Sequence, residues 1–422
     1  MKIKKETLAW AFYDWANSAF ATSIMAGFFP IFFKQYWCSG VEASTSTFRL
    51  GLANSIGSLV VIFLAPVLGA MADQAGAKKK FLFFFAMLGV MMSAGLYTVA
   101  QGAWLMASLL YIFGIIGFSG GNVFYDSLLV NVATPASSDR VSALGFALGY
   151  LGGGLLFAGN VVMTLKPALF GLTDAAQAVR LSFLTVALWW AVFSLPILLW
   201  VKEPAPPAGP VRQGMVAAGF RQLFTTFREI RRLRVVFLFL AGYWLYIDGL
   251  DTIVRMAVDY GLALGFDSSG LIVALLITQF VGFPAALVFG RLGEKMGTKK
   301  AILLGIGIYL LVTVWAMFME TINEFYLLAV AIGLVQGGVQ SLSRSLYSRL
   351  IPVDKSAEFF GFYNMLGKFA AVIGPLLMGL ISMFTGSPRL SLLAIIGLFI
   401  SGAVLLSLVN EEEGARLARQ IR

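Results

Sequence analysis

The chain contains no histidine and only one cysteine, Cys38. A disulfide within the chain is therefore impossible, and the usual zinc spacings are absent, so no metal site is expected. The side chain that normally titrates near neutrality is missing. Any proton relay must then run on carboxylates, with lysine, tyrosine or water. Histidine-dependent triads and H-E-x-x-H sites are excluded, and there is no G-x-S-x-G elbow. A phosphate-binding G-x-x-x-x-G-K-[ST] loop is also absent: Gly361 to Lys368 has the wrong spacing and continues into Phe369. No catalytic residue and no cofactor is expected.

Charge is scarce too. Only 12% of the 422 residues are charged and 59% are hydrophobic, whereas soluble domains carry about 25% charged residues. So little charge cannot coat a water-facing surface of this size, and the solvent is read as lipid. A spanning helix needs ~20 apolar residues, and runs of that length recur at 8–36, 48–72, 80–101, 103–132, 141–165 and 179–201. A second set follows at 235–263, 268–290, 300–320, 324–350, 357–384 and 389–409. The expected fold is an all-α membrane protein with twelve transmembrane helices in two pseudo-symmetric six-helix bundles. The domains are 1–201, a cytoplasmic linker 202–234, 235–409 and a cytoplasmic tail 410–422. Within the linker, Phe220, Leu223, Phe224, Phe227 and Ile230 recur at helical spacing opposite arginines, which predicts an interfacial helix over 217–234, with a linker helix packed on the bundle as the alternative.

Lysine and arginine set the orientation. Clusters such as Lys78-Lys79-Lys80, Arg228 to Arg234 and Lys299-Lys300 fall on the side of the termini. The other side holds Lys34, Arg49, Lys166, Arg180 and Arg389. This bias places both termini in the cytoplasm of a multi-pass protein of the cell membrane. Short basic clusters between apolar runs are a topology signal and do not indicate nucleic acid. The lipid bilayer, a small-molecule substrate and a coupling H+ or Na+ are the expected partners, and the chain is read as a monomer.

Two connections repeat. Gly69-Ala-Met-Ala-Asp73-Gln-Ala-Gly76-Ala-Lys78-Lys79 joins spans two and three, and Gly290-Arg-Leu-Gly-Glu294-Lys-Met-Gly297-Thr-Lys299-Lys300 joins spans eight and nine. Both read G-x-x-x-[DE]-x-x-G-x-K-K. Gly120-Gly121 with Pro135 matches Gly337-Gly338 with Pro352, and Trp10-x-x-x-Asp14 matches Trp244-x-x-x-Asp248. Offsets that drift only through loops are what two related six-helix halves produce.

Ionisable groups inside spans cost roughly 2.5–3.5 kcal/mol on insertion scales, so each is a functional candidate. Span one holds Tyr13, Asp14 and Asn17; span four holds Asn122, Tyr125 and Asp126. On span seven, Asp248, Asp251, Arg255 and Asp259 form one helical stripe. Asp248 has no basic neighbour one turn away. It must find a partner on another helix, take a proton or bind a cation, which makes it the leading coupling candidate. Arg344 in span ten lies at a depth similar to that of Asp14 and Asp126, with Lys368 nearer mid-membrane. Carboxylates of one half are expected to pair with cations of the other when the inner side closes. Permanent ion pairs are the alternative.

The doubled loop resembles the hallmark of the major facilitator superfamily. That resemblance implies a conformational latch in which Gly69, Asp73, Gly76, Gly290, Glu294 and Gly297 stabilise the outward-facing state. More narrowly, Tyr13-Asp14-Trp15-Ala16-Asn17-Ser18-Ala19-Phe20, Arg255 to Gly261, Gln336 to Ser345 and Glu358 to Tyr363 are similar to the vacuole effluxer family, the autophagy-linked group with many bacterial members. Its eukaryotic members export amino acids, which implies a zwitterionic substrate between carboxylates (Asp14, Asp248) and cations (Arg344, Lys368). A sugar or a lysolipid-like amphiphile is the alternative, a sugar site leaning on Trp244, Tyr246, Gln279 and Asn364. An intramembrane hydrolase built on Asp248 and Asp14 is the remote one.

Overall fold

The computed structural model describes residues 4–203 and 233–420. The interfacial helix expected over 217–234 lies almost wholly outside the described residues. The helices are α1 (Lys5–Trp37), α2 (Ala43–Ala75), α3 (Lys78–Leu96), α4 (Trp104–Ser127, continued by Leu129–Val132), α5 (Ser138–Leu165) and α6 (Ala175–Trp200). They continue with α7 (Arg234–Ala263), α8 (Ser268–Met296), α9 (Thr298–Ala316), α10 (Ile322–Leu350), α11 (Ser356–Thr385) and α12 (Pro388–Ser407). A short α13 (Glu411–Gln420) follows. Twelve of the described helices are long and apolar enough to cross a membrane. Helices dominate because lipid offers the backbone no hydrogen-bonding partner, so each span must satisfy its own N–H and C=O groups.

Three helix starts at the face away from the termini carry side-chain caps. Asp174 accepts from Gln177 N, Thr321 and Glu324 form a capping box, and Ser387 accepts from Leu390 N. The α1 helix widens into π-helical turns at Phe20–Phe28 and Phe33–Trp37. There Phe29 stacks on Tyr111 with ring centroids 3.8 Å apart.

Buried apolar side chains gather into two clusters. One is drawn almost entirely from residues 9–201, the other from 233–409. Each half is tied at both faces by the same device. Lys79 N donates to Glu203 at 2.6 Å and Lys79 Nζ donates to Val201 O at 2.7 Å, joining the start of α3 to the end of α6. Lys299 repeats this with Glu411 at 3.0 Å and Val409 O at 2.8 Å. At the opposite face Arg180 donates to Tyr97 O, and Arg389 to Met317 O and Met319 O, covering the exposed carbonyl ends of α3 and α9. Burial raises the Glu203 carboxyl above its ordinary range, with the Lys79 N–H and the neighbouring lysines pulling the other way.

The repeated loop also becomes intelligible. Gly76 and Gly297 have φ of 55° and 93°, a region only glycine enters readily. Gly69 and Gly290 serve close approach: a Cβ on Gly69 would strike Ala357 O of α11, and one on Gly290 would strike Ala143 of α5. Each first glycine therefore lets one half lie directly on the other. Asp73 accepts Glu358 N at 2.8 Å, a carboxylate set at the start of α11, and pairs with Lys78 at 3.0 Å. Glu294 pairs with Arg140 of α5. All six loop residues thus meet at the face that carries the termini, with both acids reaching across to the other half.

Candidate functional site

Asp14, Asp126 and Arg344 come together between the halves, just inside that closed face. Arg344 is 3% exposed. Its Nε donates to Ser142 Oγ at 2.9 Å and one terminal nitrogen to Ser142 O at 2.9 Å. The other donates to Asp126 Oδ1 at 3.0 Å, and both stand 3.5 Å from Asp14 Oδ2. The guanidinium carbon lies 4.8 Å from the Trp10 ring centroid, 5.1 Å from Tyr125 and 4.4 Å from Phe146. An arginine suits this box because its flat, weakly hydrated head can stack and donate in several directions at once.

Helix packing explains why the two acids meet. Trp10 stacks on Tyr125, with centroids 4.4 Å apart, and its Nε1 donates to Tyr125 O at 2.8 Å. Tyr125 in turn donates its hydroxyl to Asp14 Oδ2 at 2.8 Å. Gly145 of α5 leaves the gap these groups fill, since a Cβ there would sit 2.6 Å from the Tyr125 hydroxyl. From the other half, Asn364 donates to Asp126 Oδ2 at 3.0 Å. Asn17 donates to Asn122 at 2.6 Å, joining α1 to α4. Tyr13 is buried, with its ring 5.1 Å from that of Tyr125.

The closed face continues towards the termini. Ser142 Oγ donates to Ser341 O at 2.7 Å, and the hydroxyls of Ser138 and Ser345 are 2.6 Å apart. Asp139 accepts from Thr298 and lies 3.3 Å from Arg349. Lys78 donates to Ser356, whose hydroxyl donates to Ser127 O. In the other direction Asn364, Gln279 and Lys368 stay partly exposed while facing the opposite half. Lys368 Nζ is 5.9 Å from the Phe118 ring centroid, and Gln279 packs on Gly154.

Asp248 is placed differently. It is 1% exposed and accepts Gly374 N of α11 at 2.8 Å and Thr252 Oγ1 at 3.3 Å. Its partner is on another helix, as one of the sequence alternatives required, but that partner is a backbone amide within its own half. Among the described residues it does not reach Arg344. A Cβ on Gly374 would collide with Thr252, so the glycine and the acid together lock α7 onto α11. Asp251, one turn on, is partly buried, as is Trp244. The side chains of Arg255 and Asp259 lie outside the described residues.

Ser142, Phe146, Asp139 and Arg349 form this centre with the expected residues, yet the sequence reading did not single them out. Serine and phenylalanine in a span carry no insertion cost that marks them. Asp139 and Arg349 lie at helix ends, where charge is commonplace. The repeated Val201-Lys-Glu203 and Val409-Asn-Glu411 was a legible signal that went unused.

Two six-helix halves meeting at glycines, with paired acids and cations on opposite halves, mark a transporter of the major facilitator fold. Solved structures agree on the fold. The proton:xylose symporter XylE superposes with a TM-score of 0.72 at 14% identity, covering 97% of this chain and 96% of its own. The human organic anion transporter MFSD10 gives 0.70 at 15% identity, covering 95% and 99%. The family described as "Vacuole effluxer Atg22 like" matches residues 2–134 and 131–419, and the chain belongs to it. The uncharacterized MFS-type transporter YxiO of Bacillus subtilis (strain 168) is 39% identical over 99% of this chain and 98% of its own length. Autophagy-related protein 22 of Coccidioides immitis (strain RS) is 23% identical over 99% of this chain and 88% of its own.

Proposed function

We propose that this transporter moves an amino acid or a related zwitterion by alternating access, driven by a proton gradient, with Asp14 as the proton carrier. The observation that carries this reading is the charge count at the closure. Two carboxylates of one half share one guanidinium of the other, in a site nearly sealed from water. Both acids cannot stay ionised there without strain, because like charges at short range disfavour the second ionisation. Asp14 is the better proton acceptor: its side chain is 14% exposed against 10% for Asp126, and its contact with Arg344 is longer, 3.5 Å against 3.0 Å. The other titratable groups around the pair are Tyr13, Tyr125, Tyr150, Tyr243 and Tyr363, with Lys368 one turn beyond Asn364.

A proton on Asp14 relieves the excess negative charge at the clamp, so the terminal face seals around Arg344 and Asp126. Loss of the proton leaves two carboxylates on one guanidinium, so the face loosens and the substrate path opens there. Lys368 on α11 and Asp251 on α7 offer opposite charges at mid-span, suited to the carboxylate and ammonium of a zwitterion, with Asn364 and Trp244 beside them on the same helices. Asp248 supports the geometry of α7 through Gly374 N. The basic terminal face is cytoplasmic, the chain works as a monomer in the cell membrane, and Asp73 and Glu294 latch the terminal face shut.

The test is flux in proteoliposomes of purified protein under an imposed pH gradient, with neutral amino acids as substrates and sugars and lysolipids as comparisons. The wild type should accumulate an amino acid. Asp14→Asn should exchange it without accumulating it. Undiminished pH-driven accumulation in Asp14→Asn would remove Asp14 from coupling, and transport of sugars alone would remove the zwitterion.

A further inference from the structure

The α13 helix is docked on the bundle. Gly414 packs so closely on Val235 of α7 and Leu350 of α10 that a Cβ would collide with Leu350, and Ala418 continues the buried face. Its first residue, Glu411, uses Oε1 to accept Lys299 N, and its Oε2 stands 3.9 Å from the guanidinium of Arg349. That guanidinium is also 3.3 Å from Asp139 Oδ1, and it donates to Thr298 Oγ1 and Pro135 O. Asp139 opens α5 in the first half, yet its carboxylate is held by Ser345, Thr298 and Arg349 of the second. One guanidinium therefore stands between two carboxylates that belong to different moving bodies. Asp139 travels with α5, whereas Glu411 is fastened to the half that owns Arg349.

We infer that Glu411 is a positioning residue of the transport cycle, the resident counter-charge that takes over Arg349 when Asp139 withdraws. Opening the terminal face strips Arg349 of Asp139. A half-buried guanidinium left without any carboxylate is costly, and that cost would hold the face shut. Glu411 lowers it because its free oxygen is already within a small side-chain rotation of contact. The device is one-sided. Glu203 caps Lys79 N in the first half as Glu411 caps Lys299 N, but the position matching Arg349, counted back from Pro135 as Arg349 is from Pro352, is Val132. The exchange rests on the alternating-access reading above and is independent of the substrate and the proton.

The test uses full-length protein in liposomes with Cys38→Ser, and spin labels at Lys80→Cys and Lys300→Cys, exposed positions at the matched starts of α3 and α9. Pulsed dipolar spectroscopy then gives the ratio of open to closed terminal faces. Glu411→Gln keeps an amide oxygen for Lys299 N, so the cap survives and only the charge is lost. That variant should lower the open-to-closed ratio about threefold. In an Asp139→Asn background Arg349 depends on Glu411 in both states, so Glu411→Gln should then change the ratio by less than about 1.5-fold. Glu411→Asp, which retains charge, should lie nearer the wild type. An equal fall in both backgrounds, or none in either while Asp139→Asn still opens the face, overturns the exchange. A distance that ignores Asp139→Asn overturns the alternating-access reading along with it.

Discussion

Replacing Arg344 by glutamine should unseal the terminal face. The guanidinium donates to Ser142 Oγ, Ser142 O and Asp126, with Asp14 at 3.5 Å, and three aromatic rings surround it. Glutamine cannot reach this set of partners and carries no charge. Breaking a buried pair by removing one member costs about 3–5 kcal/mol, because the remaining charge is left without a partner. Here two carboxylates are stranded. The cost falls mainly on the closed state, since the open state hydrates both acids. A difference of about 3 kcal/mol shifts the closed population on the order of 100-fold. The Lys80–Lys300 spin-label distance should therefore move to its open value, and accumulation should be lost. Adding Asp126→Asn removes one stranded charge and should restore a large part of the closed population. A distance unchanged by Arg344→Gln, or effects of Arg344→Gln and Asp126→Asn that simply add, would refute the clamp.

Three further outcomes are expected. Asp248→Asn keeps an oxygen for Gly374 N and should leave pH-driven accumulation intact, whereas Asp248→Val strands that amide and should lower stability by about 1–3 kcal/mol in a denaturant or thermal assay. Gly69→Val places a side chain against the Ala357 carbonyl and should hold the terminal face open, read as raised labelling of a cysteine at Ser138. Glu203→Gln keeps the acceptor for Lys79 N and removes a carboxyl whose folded-state pKa is raised. Ionising such a group costs stability as pH rises from its unfolded value near 4.5 through its folded one. The glutamine variant should thus melt above the wild type at neutral pH, with the difference vanishing below about pH 4.

The helices were legible because lipid forces long apolar runs, and a charge inside such a run is conspicuous. The same rule exposed Asp14, Asp126 and Arg344, and the doubled loop pointed to the seam between halves. Partners were harder to read. Asp248 and Asp14 occupy matching positions after Trp244 and Trp10, yet one meets a guanidinium and the other a backbone amide. That difference comes from Gly374 and from Ser142 with Gly145, on helices more than a hundred residues away, whose contribution is a missing or small side chain. Pattern along a single helix reports which face is polar. It does not report what the facing helix leaves room for.

The most direct measurement is the Lys80–Lys300 distance in liposomes as a function of pH, in wild type and in Asp14→Asn. Protonation of Asp14 should relieve the crowded clamp, so the wild-type terminal face should close as pH falls, while Asp14→Asn should favour the closed face at every pH. The same pH-driven closure in both proteins, or opening of the wild type as pH falls, would contradict the account.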